Sequence, residues 1–386
     1  MLESLLIILF TLLSFLMGVA QFIFGGIIDK VADSVGVSIA AIGQLTTIYS
    51  LSAAIGTPIV MIALARRPLH HILFFGLVSM IVGNGLMFVA PNFTLLMLAR
   101  IFVGLGAGVY GIAAFSIVAE KAKPERRGRD LSMIAVGSSL ALVLGVPFSR
   151  TITSLVDWRF IFLGLSILMA LALVFLAKLL KSTGTREVST IKEQISYLVS
   201  KETALLFTVT FSMFLAYSSL NTYITPFLLN LSDNLSSVIA WVLMVIGIAS
   251  VIGSRMGGVL SDKYGTANVI ETSLFVQAIA LILVSIFGHI EYLAILFLFI
   301  WAVAAWTCGP IFNLNINGRF KKGTAILLSI NGTMVQFGFA GGALFGALIV
   351  EWMGIKYITL FASVFVLFSA LLFWFEKKKN VLIKKS

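Results

Sequence analysis

Twelve apolar segments, each about twenty residues or longer, follow one another along the chain, and this pattern restricts it to an all-α membrane protein. They span 5–28, 37–63, 72–90, 95–119, 131–153, 159–178, 202–228, 235–260, 269–288, 292–316, 324–350 and 356–375, with charged or turn-forming residues between them. Of the 386 residues 60% are hydrophobic and 11% charged, and the mean hydropathy is +1.08. A soluble chain is roughly 45–50% apolar and ~25% charged. No water-soluble fold of this length could hide so much apolar surface, which excludes a cytosolic enzyme and a disordered scaffold. The first segment does not read as a cleavable signal, because Met1-Leu2-Glu3-Ser4 carries no positive charge and no small-x-small site follows. A single cysteine, Cys308, allows neither an intramolecular disulfide nor a cysteine-based metal cluster.

The placement of Lys and Arg predicts the orientation. Most of the 27 basic residues fall on one side: Arg66 and Arg67, the run from Lys121 to Arg129, the middle connection, Lys263, Arg319 to Lys322, and the tail from Lys377. The other side holds Lys30, Arg150, Arg159 and Lys356, while Arg100 and Arg255 lie inside spans. By the positive-inside rule both termini are cytoplasmic. The net charge of +11 then reports topology and contact with anionic headgroups, not nucleic acid. The longest cytoplasmic connection, 181–201, divides a six-span half at 1–180 from another at 202–375, with a basic tail at 376–386. Equal halves joined by a polar linker are the pattern of a transporter built from repeats.

Several motifs stand out. Loop 8–9 reads Gly257-Gly258-Val259-Leu260-Ser261-Asp262-Lys263-Tyr264-Gly265. The aspartate ends a helix, and Gly265 permits a tight reversal. The matching place in the first half has Gly56-Thr57-Pro58 and then Arg66-Arg67, without an aspartate. Span 4 carries Arg100 followed by Gly104, Gly106 and Gly108. An arginine inside a span costs at least ~2.5 kcal/mol on insertion scales, so it reads either as a functional or paired charge or as a side chain snorkelling to the near interface. Arg255 carries the same two readings. Gly145-Val146-Pro147 in span 5 and the glycine-rich run of span 11 read as hinges or as close packing. Polar residues within spans, among them Gln21, Tyr217, Asn221, Tyr223, Asn313, Asn331 and Gln336, need partners or an aqueous cavity. Trp306 could stack on a flat ligand; Trp301 reads as packing.

Other chemistries find no support. Gly106-Ala107-Gly108-Val109-Tyr110-Gly111 matches G-x-G-x-x-G but lies inside an apolar span, not between a strand and a helix. No P-loop is present, so the chain contains no ATP-driven pump, and His70, His71 and His289 fall on opposite sides. No metal, cofactor or catalytic set is expected.

Gly258 to Gly265, Arg100 with its following glycines, and Gly145-Val146-Pro147 before Asp157-Trp158-Arg159 resemble the major facilitator superfamily, in its twelve-span drug and metabolite proton antiporter branch. Gly56-Thr57-Pro58 before Arg66-Arg67, Ser329-Ile330-Asn331 and Gln336 are similar to the sugar, arabinose and purine-nucleoside efflux permeases of that branch. The resemblance covers the whole chain. Three features depart from the family pattern: the missing first-half aspartate, Phe148-Ser149-Arg150 where a further glycine is usual, and Gln21 where relatives of the purine exporters often carry glutamate.

The resemblance implies a monomeric secondary transporter of the cell membrane. It would export a small polar or amphipathic molecule by alternating access, with protons as the coupling ion. Spans 1, 4, 7 and 10 would line its cavity. Arg100, Gln21, Tyr217, Asn221, Tyr223, Trp306, Asn313 and Gln336 are then the substrate-binding candidates. Asp262, Gly258, Gly265, Arg66, Arg67, Gly145 and Pro147 are the gating candidates. None of the 16 acids falls at the middle of a span, which leaves Asp29, within possible reach of Arg150, as the proton-coupling candidate or as a solvated rim residue. An uncoupled facilitator or importer on the same fold, and a non-transporting membrane sensor, are the competing readings.

Overall fold

The computed structural model describes residues 2–123, 126–180, 183–184, 201–232, 234–320 and 323–383. Among them, 12 helices are long and apolar enough to cross a membrane. Span 1 is Leu2–Val35, span 2 Ile39–Ala63, span 3 Leu69–Val89, span 4 Phe93–Lys121, span 5 Arg127–Ile152 and span 6 Arg159–Leu179. Span 7 is Lys201–Thr222 continued by Ile224–Leu231, followed by span 8 (Leu235–Tyr264), span 9 (Thr266–Phe287), span 10 (Glu291–Arg319), span 11 (Thr324–Trp352) and span 12 (Ile358–Ile383). The expected linker lies mostly outside the described residues, as do the last three residues of the tail.

The chain divides into two compact units, Met1–Val188 and Ser189–Ser386. Within the first, span 3 packs on spans 4 and 6, span 1 on spans 5 and 6, and span 2 on span 4. Within the second, the same pairs recur six spans later: 9 with 10 and 12, 7 with 11 and 12, 8 with 10. Each unit is therefore a copy of one helical arrangement. The copies share a device where these helices cross: a Cβ on Gly104 would stand 2.1 Å from the Tyr49 carbonyl oxygen, and one on Gly253 would stand 2.1 Å from that of Val303. Only a residue without a side chain lets spans 2 and 4, or 8 and 10, approach so nearly.

Local chemistry explains where helices start, bend and stop. Ser38 and Asn92 cap spans 2 and 4 by accepting hydrogen bonds from Ala41 N (3.1 Å) and Leu95 N (3.0 Å). Span 1 continues seven residues beyond 28, because Ile27, Ile28, Val31 and Ala32 form a buried stripe at helical spacing. Asp29, Lys30 and Asp33 occupy the other face, and the helix ends at Gly36, with φ 72°. Span 7 breaks at Tyr223, since Pro226 cannot donate to the carbonyl of residue 222 and its ring crowds that turn.

Spans 2 and 5 each contain a five-residue π-helical segment, Ser52–Gly56 and Ala141–Gly145. Each ends two residues before a proline, Pro58 and Pro147. The wider winding re-registers the backbone around the missing N–H, and Val146 N donates to the Ala141 carbonyl five residues back. Their counterparts in the second unit, spans 8 and 11, are unbroken α-helices of 30 and 29 residues.

Candidate functional site

In the first unit span 4 delivers Arg100 into the interior, where it is 0% exposed. It therefore does not snorkel. Its Nε donates to the Leu45 carbonyl (3.1 Å) and Nη1 to the Ala20 carbonyl (2.7 Å). The guanidinium carbon lies 4.4 Å from the Tyr49 ring centroid and 4.9 Å from that of Phe24. Two carbonyl dipoles and two ring faces thus hold the cation where no carboxylate pairs with it among the described residues. Nη2 has no hydrogen-bond partner there and keeps a free donor. Gln21 is half-buried on span 1, next to the Ala20 carbonyl that Arg100 engages. Phe24 and Tyr49 complete this centre. Sequence reading passed over both, because an aromatic residue in an apolar helix looks like packing.

At another level of the same unit, span 1 meets span 5 through charge. Arg150 Nη1 lies 2.6 and 2.7 Å from the two carboxylate oxygens of Asp29, with both side chains largely buried, and 3.4 Å from the Gly26 carbonyl. A few residues along span 5 from this ion pair sit Gly145 and Pro147, at the end of the π segment. A Cβ at Gly145 would reach within 2.3 Å of Val19 Cγ2 on span 1.

The second unit holds an uncharged aromatic and amide cluster. Tyr217 on span 7 stacks on Trp301 of span 10, with centroids 5.3 Å apart and an interplanar angle of 22°. It meets Trp306 edge-on at 6.0 Å. Trp306 Nε1 donates to the Tyr217 hydroxyl (3.1 Å), which donates to Asn221 Oδ1 (3.2 Å). Asn221 is one turn further along span 7, the i,i+4 spacing that brings two side chains together. A second chain links three spans: Thr210 Oγ1 donates to Asn331 Oδ1 (2.9 Å), and Asn331 Nδ2 donates to Asn313 Oδ1 (3.0 Å). Asn313 is exposed at the end of that chain. Gln336 Oε1 is buried without a partner among the described residues.

Tyr223 stands apart from this cluster. It is fully buried, its hydroxyl donates to the Ala343 carbonyl (2.9 Å), and its ring lies where Gly346 leaves room on span 11. It joins the break of span 7 to span 11.

The loop motifs are solvent-facing within their units. Arg66 and Arg67 are exposed in the turn after span 2. Asp262 is exposed near the end of span 8 and makes no ion pair among the described residues. Gly265 has φ +81°, so the reversal into span 9 needs glycine. A Cβ on Gly257 would meet the Thr307 carbonyl at 2.7 Å, whereas one on Gly258 would meet nothing within 4 Å. Of the two glycines, 257 is the packing residue.

The family model of the Major Facilitator Superfamily matches residues 10–327. Over 353 residues the chain is 31% identical to a Bacillus subtilis (strain 168) protein described as "Uncharacterized MFS-type transporter YbcL", covering 92% of this chain and 90% of that one. It is 27% identical over 373 residues to a "Probable sugar efflux transporter" of Helicobacter acinonychis (strain Sheeba), covering 96% and 94%. In fold it is similar to a bacterial homologue of the human lysosomal transporter Spinster, solved inward-facing and occupied: the TM-score is 0.77 at 16% identity, over 97% of both chains.

Proposed function

The chain belongs to the Major Facilitator Superfamily and is a multi-pass transport protein, and on that premise we propose that it exports a small, polar, uncharged molecule of the sugar or nucleoside kind in exchange for protons. The observation that carries this reading is the cluster around Tyr217. Trp306 and the Tyr217 ring, itself stacked on the fully buried Trp301, supply flat apolar surface, while Tyr217 and Asn221, with Asn313 and Gln336 in the same unit, supply neutral donors and acceptors. Rings beside amides suit a ligand with hydroxyls and C–H faces; a cation would meet ring faces there but no carboxylate among these residues. The relatives named as sugar efflux transporters agree with this choice.

In this reading residues 1–180 and 202–375 are two six-helix halves working by alternating access, joined by the cytoplasmic connection 181–201 and followed by the tail at 376–386. Both termini face the cytoplasm of a bacterial inner membrane, and the protein acts as a monomer. Arg100 with Gln21 forms the polar centre of the first half. Asp29 carries the proton, and its charge state sets whether spans 1 and 5 stay tied by Arg150. Asp262, Gly258, Gly265, Arg66 and Arg67 form the cytoplasmic gate, and the π segment ending at Gly145 before Pro147 is the bend that lets span 5 adjust.

A second reading has its own observation. The acids of the described spans lie toward helix ends, and Gln21 stands where, by the family resemblance, relatives of the purine exporters often carry glutamate, which favours an uncoupled facilitator. Purified protein in liposomes loaded with labelled pentoses, hexoses and nucleosides separates the two. Export that rises when the pH gradient is imposed supports antiport. Counterflow of the same substrates, unmoved by the gradient, supports the facilitator, and no flux of any of them defeats the substrate class.

A further inference from the structure

A cavity of about 270 Å³ opens in the second unit, at the end away from the basic loops. Three elements frame it: the end of span 7, the end of span 9 with the following turn, and the start of span 12. Its polar lining comprises Asn230, Ser285, His289, Lys356 and Thr359, and its apolar floor includes Phe227, itself buried. Ser285 and Thr359 hydroxyls fix each other at 2.8 Å, which ties the span 9 wall to the span 12 wall.

The charge pattern of this cavity is unusual for its place. Basic residues are scarce at this end of the protein. Two of them, Arg150 and Arg159, are paired to Asp29 and Asp157. Lys356 has no carboxylate partner among the described residues. Its ammonium lies 5.0 Å from the Tyr357 ring centroid and lines the cavity together with His289, and no acid is among the lining residues. The first turn of span 12, a 26-residue helix, begins beside it and adds the positive end of its dipole.

We infer that this cavity is a binding site for an anionic phosphate-bearing headgroup. Lys356 would neutralise the phosphate, and Asn230, His289 and the helix start would donate to its oxygens. The apolar walls contributed by Phe227, Val284 and Ile286 lie alongside the cation. A lipid needs both surfaces, because its glycerol and acyl carbons follow the phosphate; a free phosphate ion would use the polar wall alone.

The test uses the full chain in nanodiscs made with phosphatidylglycerol, with retained lipids counted by native mass spectrometry. The parent and Lys378→Ala, which removes a cation elsewhere, should hold one more phosphatidylglycerol than Lys356→Ala, and Lys356→Arg should restore it. In detergent without lipid, inorganic phosphate is titrated against thermal unfolding. Protection of the parent by phosphate, lost in Lys356→Ala while the lipid count is unchanged, would keep the site and assign it to a soluble anion. Equal lipid counts together with equal phosphate responses in parent and Lys356→Ala overturn the assignment.

Discussion

Arg150 Nη1 lies 2.6 and 2.7 Å from the two carboxylate oxygens of Asp29, so one guanidinium nitrogen holds span 1 to span 5 just beyond the only proline of span 5. If Asp29 is the proton carrier, neutralising it should unfasten this tie. Asp29→Asn in proteoliposomes is expected to abolish the response of efflux to external pH while substrate counterflow persists. A pH response equal to the parent's would remove Asp29 from coupling. Arg150→Ala should weaken export as well, because it leaves a largely buried carboxylate without its partner, a change that costs on the order of 3–5 kcal/mol when such a pair is fully buried.

The hydroxyl of Tyr217 is both acceptor and donor, taking a bond from Trp306 Nε1 and giving one to Asn221. Tyr217→Phe keeps the ring stacked on Trp301 and deletes both bonds. Both bonds lie within the protein, so at about 0.5–1.5 kcal/mol for each neutral hydrogen bond the variant should lose roughly 1–3 kcal/mol of stability, and if the hydroxyl also meets the ligand the apparent substrate affinity should fall by about two- to thirteenfold, the worth of one such bond. An unchanged KM for every transported substrate would place the ligand elsewhere.

Arg100 is held by two carbonyls and two rings and keeps one free donor. Arg100→Lys preserves charge but cannot span both carbonyls in the same plane or stack as a guanidinium does. Transport is therefore expected to drop in Arg100→Lys nearly as far as in Arg100→Met. Arg100→Met should stay folded, since it removes the desolvation cost of a buried cation without a carboxylate partner among the described residues, several kcal/mol per ion, and fills a similar volume. Circular dichroism melting of both variants beside efflux assays makes the comparison. Full activity in the lysine variant would reduce Arg100 to a point charge.

Neighbouring glycines of span 8 should respond oppositely. Gly253→Ala places a methyl group 2.1 Å from the Val303 carbonyl oxygen, and overpacking of this kind costs about 1–3 kcal/mol or more, so its melting temperature should fall. Gly258→Ala meets nothing and should melt as the parent does. Asp262→Asn, at an exposed carboxylate without an ion pair among the described residues, should likewise leave stability intact. A loss of transport in Gly258→Ala and Asp262→Asn at parental stability is the signature of a gate; parental transport in both would confine this stretch to loop structure.

The number of spans and their approximate ends were legible in the sequence because a lipid-crossing helix must satisfy its own backbone and so announces itself by length and apolarity alone. Gly145-Val146-Pro147 reads as a hinge or as close packing, and a π segment ends there; the matching segment of span 2 was not legible in Gly56-Thr57-Pro58, because a missing N–H does not by itself dictate the winding, and Pro310 leaves span 10 a continuous helix. The family resemblance likewise rested on short motifs whose residues sit close together in the chain. What tertiary structure decided was which distant side chains meet. Span 1 continues past Asp29 because Val31 and Ala32 find neighbours to bury against, and span 7 breaks where Pro226 falls, so that Tyr223 braces span 11 and leaves Tyr217 to Trp301 and Trp306. Arg100 read as either a snorkelling or a buried cation until Leu45, Ala20, Tyr49 and Phe24 closed around it. Helix formation depends on residues three and four apart. Burial of a charge depends on partners as far as 80 positions away, and an apolar sequence does not record which of its faces will meet.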